Sequence, residues 1–419
     1  MANGGTKLAY AALSAHRSNP TPLACFCAFA IGAASSLQVA NYLATGLSLI
    51  CLLLVPAFFM AEHRGADLVP LLLAVLGAIS ALASSITNHV NVISWPNTLW
   101  HAAFALYFLG LAVLTGRSVP LIAMVVGGLG VGSVVYFVTK GIELTHTGSF
   151  FDLWKYGIAH GATILLVVAM TLRRVRAPWQ ATLLVVLGLG SLVLNFRSHA
   201  LVCLTAAAIL LAKRWSGDRV PRGWQFLGIA VFGITLAYLV PRAGRAGLFG
   251  PVLQTKTLEQ DTTHLPTLLA GRTEPPMSLT AIAERPWLGW GSAMKLPPDV
   301  YNKAEHLAVQ WGYAPTFPFE GYWRLPANDY SAMHSIILGS WAEGGVLAVL
   351  LPLWLLFAAM AIIWDHGRFG VWGPLVLIVA LQAIWDLLYA PWTYNMVPEC
   401  VCLALLFLAT HFKPIPADP

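Results

Sequence analysis

The sequence predicts an all-α polytopic membrane protein of about 12 transmembrane helices, one large outer loop of which folds as a helical cap. Three observations carry this expectation. Hydrophobic residues fill 58% of the 419 positions and charged residues only 10%, a balance far from that of soluble domains. Windows of roughly 20 mostly apolar residues, the length needed to cross a bilayer core of about 30 Å, recur along the chain. One connection, residues 242–332, interrupts that rhythm with prolines and aromatics.

Taken in order, the apolar segments lie near 23–39, 42–61, 68–86, 99–115, 119–139, 154–172, 179–195, 199–213, 224–241, 333–363, 369–389 and 395–411. The break between the first two, SSLQVANYLATG, is weak. Residues 1–241 thus hold the first nine spans, 242–332 the loop, and 333–419 the last three spans with a C-terminal tail. No cleavable signal peptide is evident, and the first hydrophobic segment reads as retained.

Lys and Arg set the orientation. With both termini cytoplasmic, the inner connections carry Lys7, Arg17, Arg64, Arg117, Arg173, Arg174, Arg176, Lys213, Arg214, Arg219, Arg222, Arg368 and Lys413, while the short outer ones hold few. The net charge of +6 is therefore topological and gives no reason to expect a nucleic-acid partner.

All six cysteines, at 25, 27, 51, 203, 400 and 402, fall inside apolar segments. Two pairs are spaced i, i+2, which separates them around a helix, so they read as small apolar fillers and not as metal ligands or a disulfide framework. The GGLGVG run at 127–132 lies within a span, where glycines allow close helix packing. No metalloprotease, P-loop or dinucleotide-binding fingerprint is present.

A structureless loop as long as 242–332 is uncommon, so it reads as functional or as a small domain. Its Trp287, Trp290, Trp311, Tyr313, Phe317, Phe319, Tyr322 and Trp323 suit short helices lying over the outer membrane interface.

Several polar residues are left over by topology. Arg197 sits where positive-inside statistics disfavour an arginine, and reads either as a snorkelling side chain or as a ligand for an anion such as diphosphate. Its neighbour His199 is either an auxiliary polar contact or an interfacial histidine. Arg272 opens GRTEPPMSLTAIAERPWLGWG, a helix closed by Pro286 and a Gly-rich turn, and is one basic residue among Arg242, Arg245, Arg285 and Arg324. His334 stands at the entrance of the tenth span. The neutral imidazole is the form a general base needs, and no other unperturbed side chain changes charge in the physiological range; the bland alternative is a capping histidine. One straight helix from 333 to 363 would put Trp341 and Gly345 on the face of His334, Gly345 about 16 Å deeper, and Glu343 on the opposite side.

With the residues laid out, HSIILGSWAEGGVLAVLLPLW resembles the signature of the O-antigen ligase and polymerase superfamily: a His, a small polar residue and, after nine more, a Gly, here His334, Ser335 and Gly345. FRSHALVCLTAAAILLAKR, with Arg197, and GRTEPPMSLTAIAERPWLGWG, with Arg272, resemble two further pieces of the same family in the same order. The likeness covers roughly 190–365. Ser335 replaces the amide often found there, and GWG replaces a more aliphatic turn.

The resemblance implies a GT-C-type glycosyltransferase of the bacterial inner membrane, working at the periplasmic face without metal, cofactor or nucleotide sugar. Its donor would be a glycan on undecaprenyl diphosphate and its acceptor, in the ligase branch, the lipid A core. His334 would be the base, predicting inversion; Arg197 and Arg272 would hold the diphosphate, with His199 and Asp386 as auxiliary contacts. Asp386, an intramembrane carboxylate, would orient His334 or hold an arginine, a structural pairing role being the alternative, and Asp329 is a rival orienter of His334. An O-antigen polymerase and a protein O-oligosaccharyltransferase share the donor chemistry. A transporter of the lipid-linked glycan would show mid-membrane polar sites and related halves, which the sequence does not display.

Overall fold

The computed structural model describes residues 20–39, 44–61, 63, 65–91, 99–139, 150–216, 220, 222–260, 273–323, 333–393 and 395–411. Arg272, Asp329 and Arg324, and the basic residues Lys7, Arg17, Arg64, Arg219 and Lys413, lie outside these.

Helices occupy each of the twelve apolar segments, and the described residues form no sheet beyond an isolated bridge between Gln38 and Thr45. They are α1 (Pro22–Ala33), α2 (Gly46–Phe59), α3 (Gly65–Thr87), α4 (Trp100–Thr115), α5 (Val119–Thr139), α6 (Ala159–Leu172, entered through a π-helical turn at Trp154–Ile158), α7 (Ala177–Val193), α8 (Arg197–Ser216) and α9 (Arg222–Arg245). After α10 (Pro251–Gln260), the long connection supplies α11 (Pro275–Glu284), α12 (Pro298–Trp311) and α13 (Phe319–Trp323), and the chain returns with α14 (Ile336–Gly344), α15 (Val346–Trp364), α16 (Gly373–Tyr389) and α17 (Met396–His411). Among the described residues, five helical stretches are long and apolar enough to cross a membrane: Gly65–Thr87, Val119–Thr139, Trp154–Leu172, Val346–Trp364 and His366–Tyr389. The protein is therefore a helical membrane protein.

Two features show what solvates it. Large apolar side chains such as Leu53, Ile79, Ile86, Val186 and Phe357 stand exposed. In water such a surface would aggregate, whereas against acyl chains it is neutral. Inside, α5 is enclosed on most sides, and its glycines set the packing. A Cβ on Gly128 would land on the Phe29 carbonyl of α1, so the GGLGVG run does bring two backbones together.

The cysteines are all free, and Cys51, Cys203, Cys400 and Cys402 are buried, as fillers would be. Cys25 is half-buried and Cys27 exposed. At one end of the bundle Arg117 pairs with Asp67, and Asp365 lies 3.3 Å from Arg368 and 3.6 Å from His411.

The long connection has its own apolar core, built from Met277, Trp290, Tyr301, Tyr313, Phe319 and Trp323. It is fastened to the bundle at a break in the tenth segment. The expectation of one helix over 333–363 is overturned: Gly345, at φ 77° and ψ −172°, ends α14 and begins α15. A helix end exposes its last carbonyls, and away from water each needs a donor. Gly345 N–H donates to the Trp341 carbonyl (2.8 Å), Trp290 N–H to Ala342 (2.9 Å) and Gly291 N–H to Glu343 (2.8 Å). The hydroxyls of Ser84 and Ser80, on α3, donate to Glu343 and Gly344 at 2.7 Å each. In return Val346 N–H donates to the Trp287 carbonyl. The turn 287–291 thus plugs the break. Arg285 backs it from outside, stacked 3.8 Å over Trp290 and donating to Asn88 at the end of α3.

A Cβ on Gly345 would collide with the Trp287 carbonyl, at a backbone angle L residues avoid. Gly345→Ala is expected to lower stability by roughly 2–4 kcal/mol, whereas Gly190→Ala, open to space, should cost nothing. Thermal unfolding of the two solubilised variants measures the contrast, and equal midpoints would show that the break is not held this way.

Candidate functional site

His334 does not lie on α14; it sits two residues before it. Ser335 is the N-cap, its backbone extended, its hydroxyl accepting from Leu338 N–H (3.2 Å) and donating to the Leu387 carbonyl of α16 (3.3 Å). The small polar residue after the histidine therefore caps one helix and ties it to the end of another. Trp341, which the straight-helix projection put on the face of His334, instead donates its indole N–H to the Pro286 carbonyl (2.9 Å), and Glu343 turns toward the 287–295 segment, where its Oε1 accepts from Ala293 N–H (3.0 Å).

The carboxylate beside His334 is Glu274. Its Oε1 lies 2.8 Å from the His334 Nδ1, off the axis of a directed hydrogen bond. Catalytic contacts in unliganded proteins are commonly misaligned in this way and tighten on binding. The pairing follows from chain geometry. The turn after α11 is locked to the end of α14, so the two helices run back alongside each other. At about 1.5 Å per residue their ten and nine residues span similar lengths, which brings the residue before α11 to the residues before α14. Glu274 is that residue, followed by Pro275 and Pro276 at the first positions of α11, where missing N–H groups cost nothing. The histidine side chain is 37% exposed and the glutamate 15%, so the pair straddles the boundary between protein and solvent.

Tyr313 completes the surroundings of Glu274. Burial, with the Glu274 carboxylate adding to it, pushes the Tyr313 hydroxyl up to about 12. It remains a neutral group at any working pH.

Arg197 is the first residue of α8 and is half-buried. His199, two residues further, is buried and has both ring nitrogens engaged: Nδ1 with the Ser191 hydroxyl (2.9 Å) and Nε2 with Thr163 (3.1 Å). It ties α6, α7 and α8 together from a buried position, where the sequence reading had an auxiliary contact or an interfacial histidine. Asp386 is buried near the end of α16, accepting from the Gln382 amide at 2.8 Å. It shares that end of the bundle with a His160–Glu399 pair, 2.9 Å apart. The structure thus brings a carboxylate to His334, but the residue is Glu274, which the sequence reading passed over. The available signal was its place directly before a Pro-Pro helix start in the same stretch as Arg272.

No family model, curated protein or solved structure matches this chain.

The Tyr313 shift has a measurable sign. The free phenol titrates near 10, so burial of the neutral form stabilises the 275–323 segment fully below about pH 10, and that contribution is lost as pH rises toward 12. The phenolate absorbance of wild type minus Tyr313→Phe should show no tyrosinate from this residue at about pH 10.5. A signal there would place Tyr313 in water.

Proposed function

We propose that the protein is a membrane glycosyltransferase of the O-antigen ligase type, moving a glycan from undecaprenyl diphosphate to a hydroxyl of the lipid A core at the periplasmic face of the bacterial inner membrane. The observation that carries this reading is the His334–Glu274 pair at the solvent boundary of the broken helix segment. A general base for a lipid-anchored acceptor must stand where the sugar meets water, not at mid-membrane, and a histidine held by a carboxylate at one nitrogen presents the other to substrate.

In this scheme both termini are cytoplasmic, the twelve apolar segments each cross the membrane, and the 242–332 connection caps the periplasmic side. The acceptor hydroxyl attacks the anomeric carbon while His334 Nε2 takes its proton, so the new glycosidic C–O bond forms as the bond to the diphosphate oxygen breaks. Glu274 stays at Nδ1, fixing the ring's tautomer and placing a negative charge beside the imidazolium that forms. Departure of the lipid diphosphate develops charge on its oxygens. Arg197, at the start of α8, and Arg272, two residues before Glu274, are assigned to that charge. Attack opposite the leaving group inverts the anomeric centre.

Asp386, His160 and Glu399 support the placement from within. Intramembrane ionisable groups are tolerated where they face one another or a wet cavity, and these lie at the bundle end that holds Ser335 and Leu387.

The test is a reconstitution of the purified protein with undecaprenyl diphosphate glycan and lipid A core, with chelator and without nucleotide. His334→Ala is expected to lose transfer by roughly 10²–10⁴-fold, and Arg197→Ala by about 10²–10³-fold. Glu274→Gln should lose less, with partial recovery in Glu274→Asp, since its role is to position. A glycan lengthened on its own lipid would move the assignment to the polymerase; wild-type transfer retained by His334→Ala would remove the base from the mechanism.

A further inference from the structure

Behind His334 the bundle contains a cavity whose walls include Met333 and Ser335, the residues on either side of the histidine. His101, Ser340, Glu343 and Trp392 also line it, and all four are buried. Three of their polar atoms have no partner among the described residues: His101 Nδ1, Ser340 Oγ and Trp392 Nε1. Buried polar groups normally find partners, and leaving one without any is costly. Three such residues lining one cavity point to an occupant.

The chemistry of that occupant follows from the backbone. Pro352, inside α15, has no N–H to give the Ala348 carbonyl four residues earlier. His101 Nε2 fills the gap, donating to that carbonyl at 2.8 Å. A carbonyl only accepts, so the proton is on Nε2, and Nδ1 presents a lone pair. The Trp392 indole can only donate, and Ser340 can do either. The occupant must therefore donate to His101 and accept from Trp392. A carboxylate or phosphate oxygen has no proton to give, and an ammonium has nothing to accept with. A hydroxyl does both. The Glu343 carboxylate, held at Oε1 by Ala293 N–H, also disfavours an anion. The cavity has room for an oxygen-sized group.

We infer that this cavity is a binding site for a single hydroxyl, which seats either an ordered water or a sugar hydroxyl of the substrate beside His334. The second source rests on the glycosyl-transfer reading; the first does not.

The experiment has two arms that separate these. An electron cryo-microscopy map of the substrate-free protein in nanodiscs, at about 2 Å, resolves ordered waters of the kind that bridge buried groups. Density within hydrogen-bond distance of the three atoms, lost in Ser340→Ala with Trp392→Phe, is the result expected of water. The second arm measures transfer with the acceptor varied. If the hydroxyl is the acceptor's, the same two substitutions raise KM by roughly tenfold with kcat little changed, as the loss of a hydrogen bond or two predicts. Trp392→Phe keeps an aromatic ring against Trp100, so the fold should survive, and matching unfolding midpoints check this. An empty cavity together with an unchanged KM overturns the inference. Wild-type protein that transfers nothing removes the functional reading instead, and the map then decides the cavity alone.

Discussion

The backbone carbonyls at the end of α14 have to find donors in a place where water is scarce, and much of the molecule is arranged to supply them. Ala342, Glu343 and Gly344 would have been satisfied by a continuing helix. Gly345 closes the last helical bond, to Trp341, and ends that continuation, and the replacements come from two separate parts of the chain: the 290–291 turn and two serines of α3. Each replacement fixes a position. Ser80 and Ser84 hold α3 against the break, and the turn fixes the 275–323 segment on the bundle. Gly289 and Gly291, both at positive φ, let its backbone come close enough.

The site is a consequence of that fastening. Once the turn after α11 is locked to the end of α14, the start of α11 can only lie beside the start of α14, and Glu274 meets His334. The capping of α14 by Ser335, with its second bond to the end of α16, sets the backbone from which the histidine projects. The helix end nearest the site is thus held by a side-chain cap, and the far end by a turn. A histidine placed on a continuous membrane helix would have been carried by one element; this one is positioned by three.

This explains what could be read from the sequence and what could not. The helices were legible because apolar length is a local property: Val119–Thr139 has the bounds that its composition predicts. The break at Gly345 was not. A glycine in an apolar run signals close packing equally well, as Gly128 does, and only the conformation tells the two apart. The projection of Trp341 and Gly345 onto one face failed for that reason. His334 was legible as a polar residue at a helix entrance, but its partner was not, because Glu274 is sixty residues away and their meeting depends on two helices of similar length running back along each other. His101 went unremarked for a related reason. Its role is set by a proline on another helix, whose missing N–H leaves a carbonyl that only a tertiary neighbour can serve.

Polar groups are buried at both ends of the bundle. At the end marked by Arg117 and Asp365, Asp67 pairs with Arg117 and Asp365 with Arg368 and His411, while His366 Nε2 and Gln180 Oε1 meet no partner among the described residues. At the other end, His199 is saturated by Ser191 and Thr163, yet the cavity beside His334 leaves a donor, an acceptor and a hydroxyl unmet. A protein that needed only stability there would have filled the space with a methyl group or closed the bonds internally, since unsatisfied polar groups in a low-dielectric interior are costly. Retaining them near His334 at the solvent boundary fits the proposed site for a hydroxyl that the protein does not itself contain.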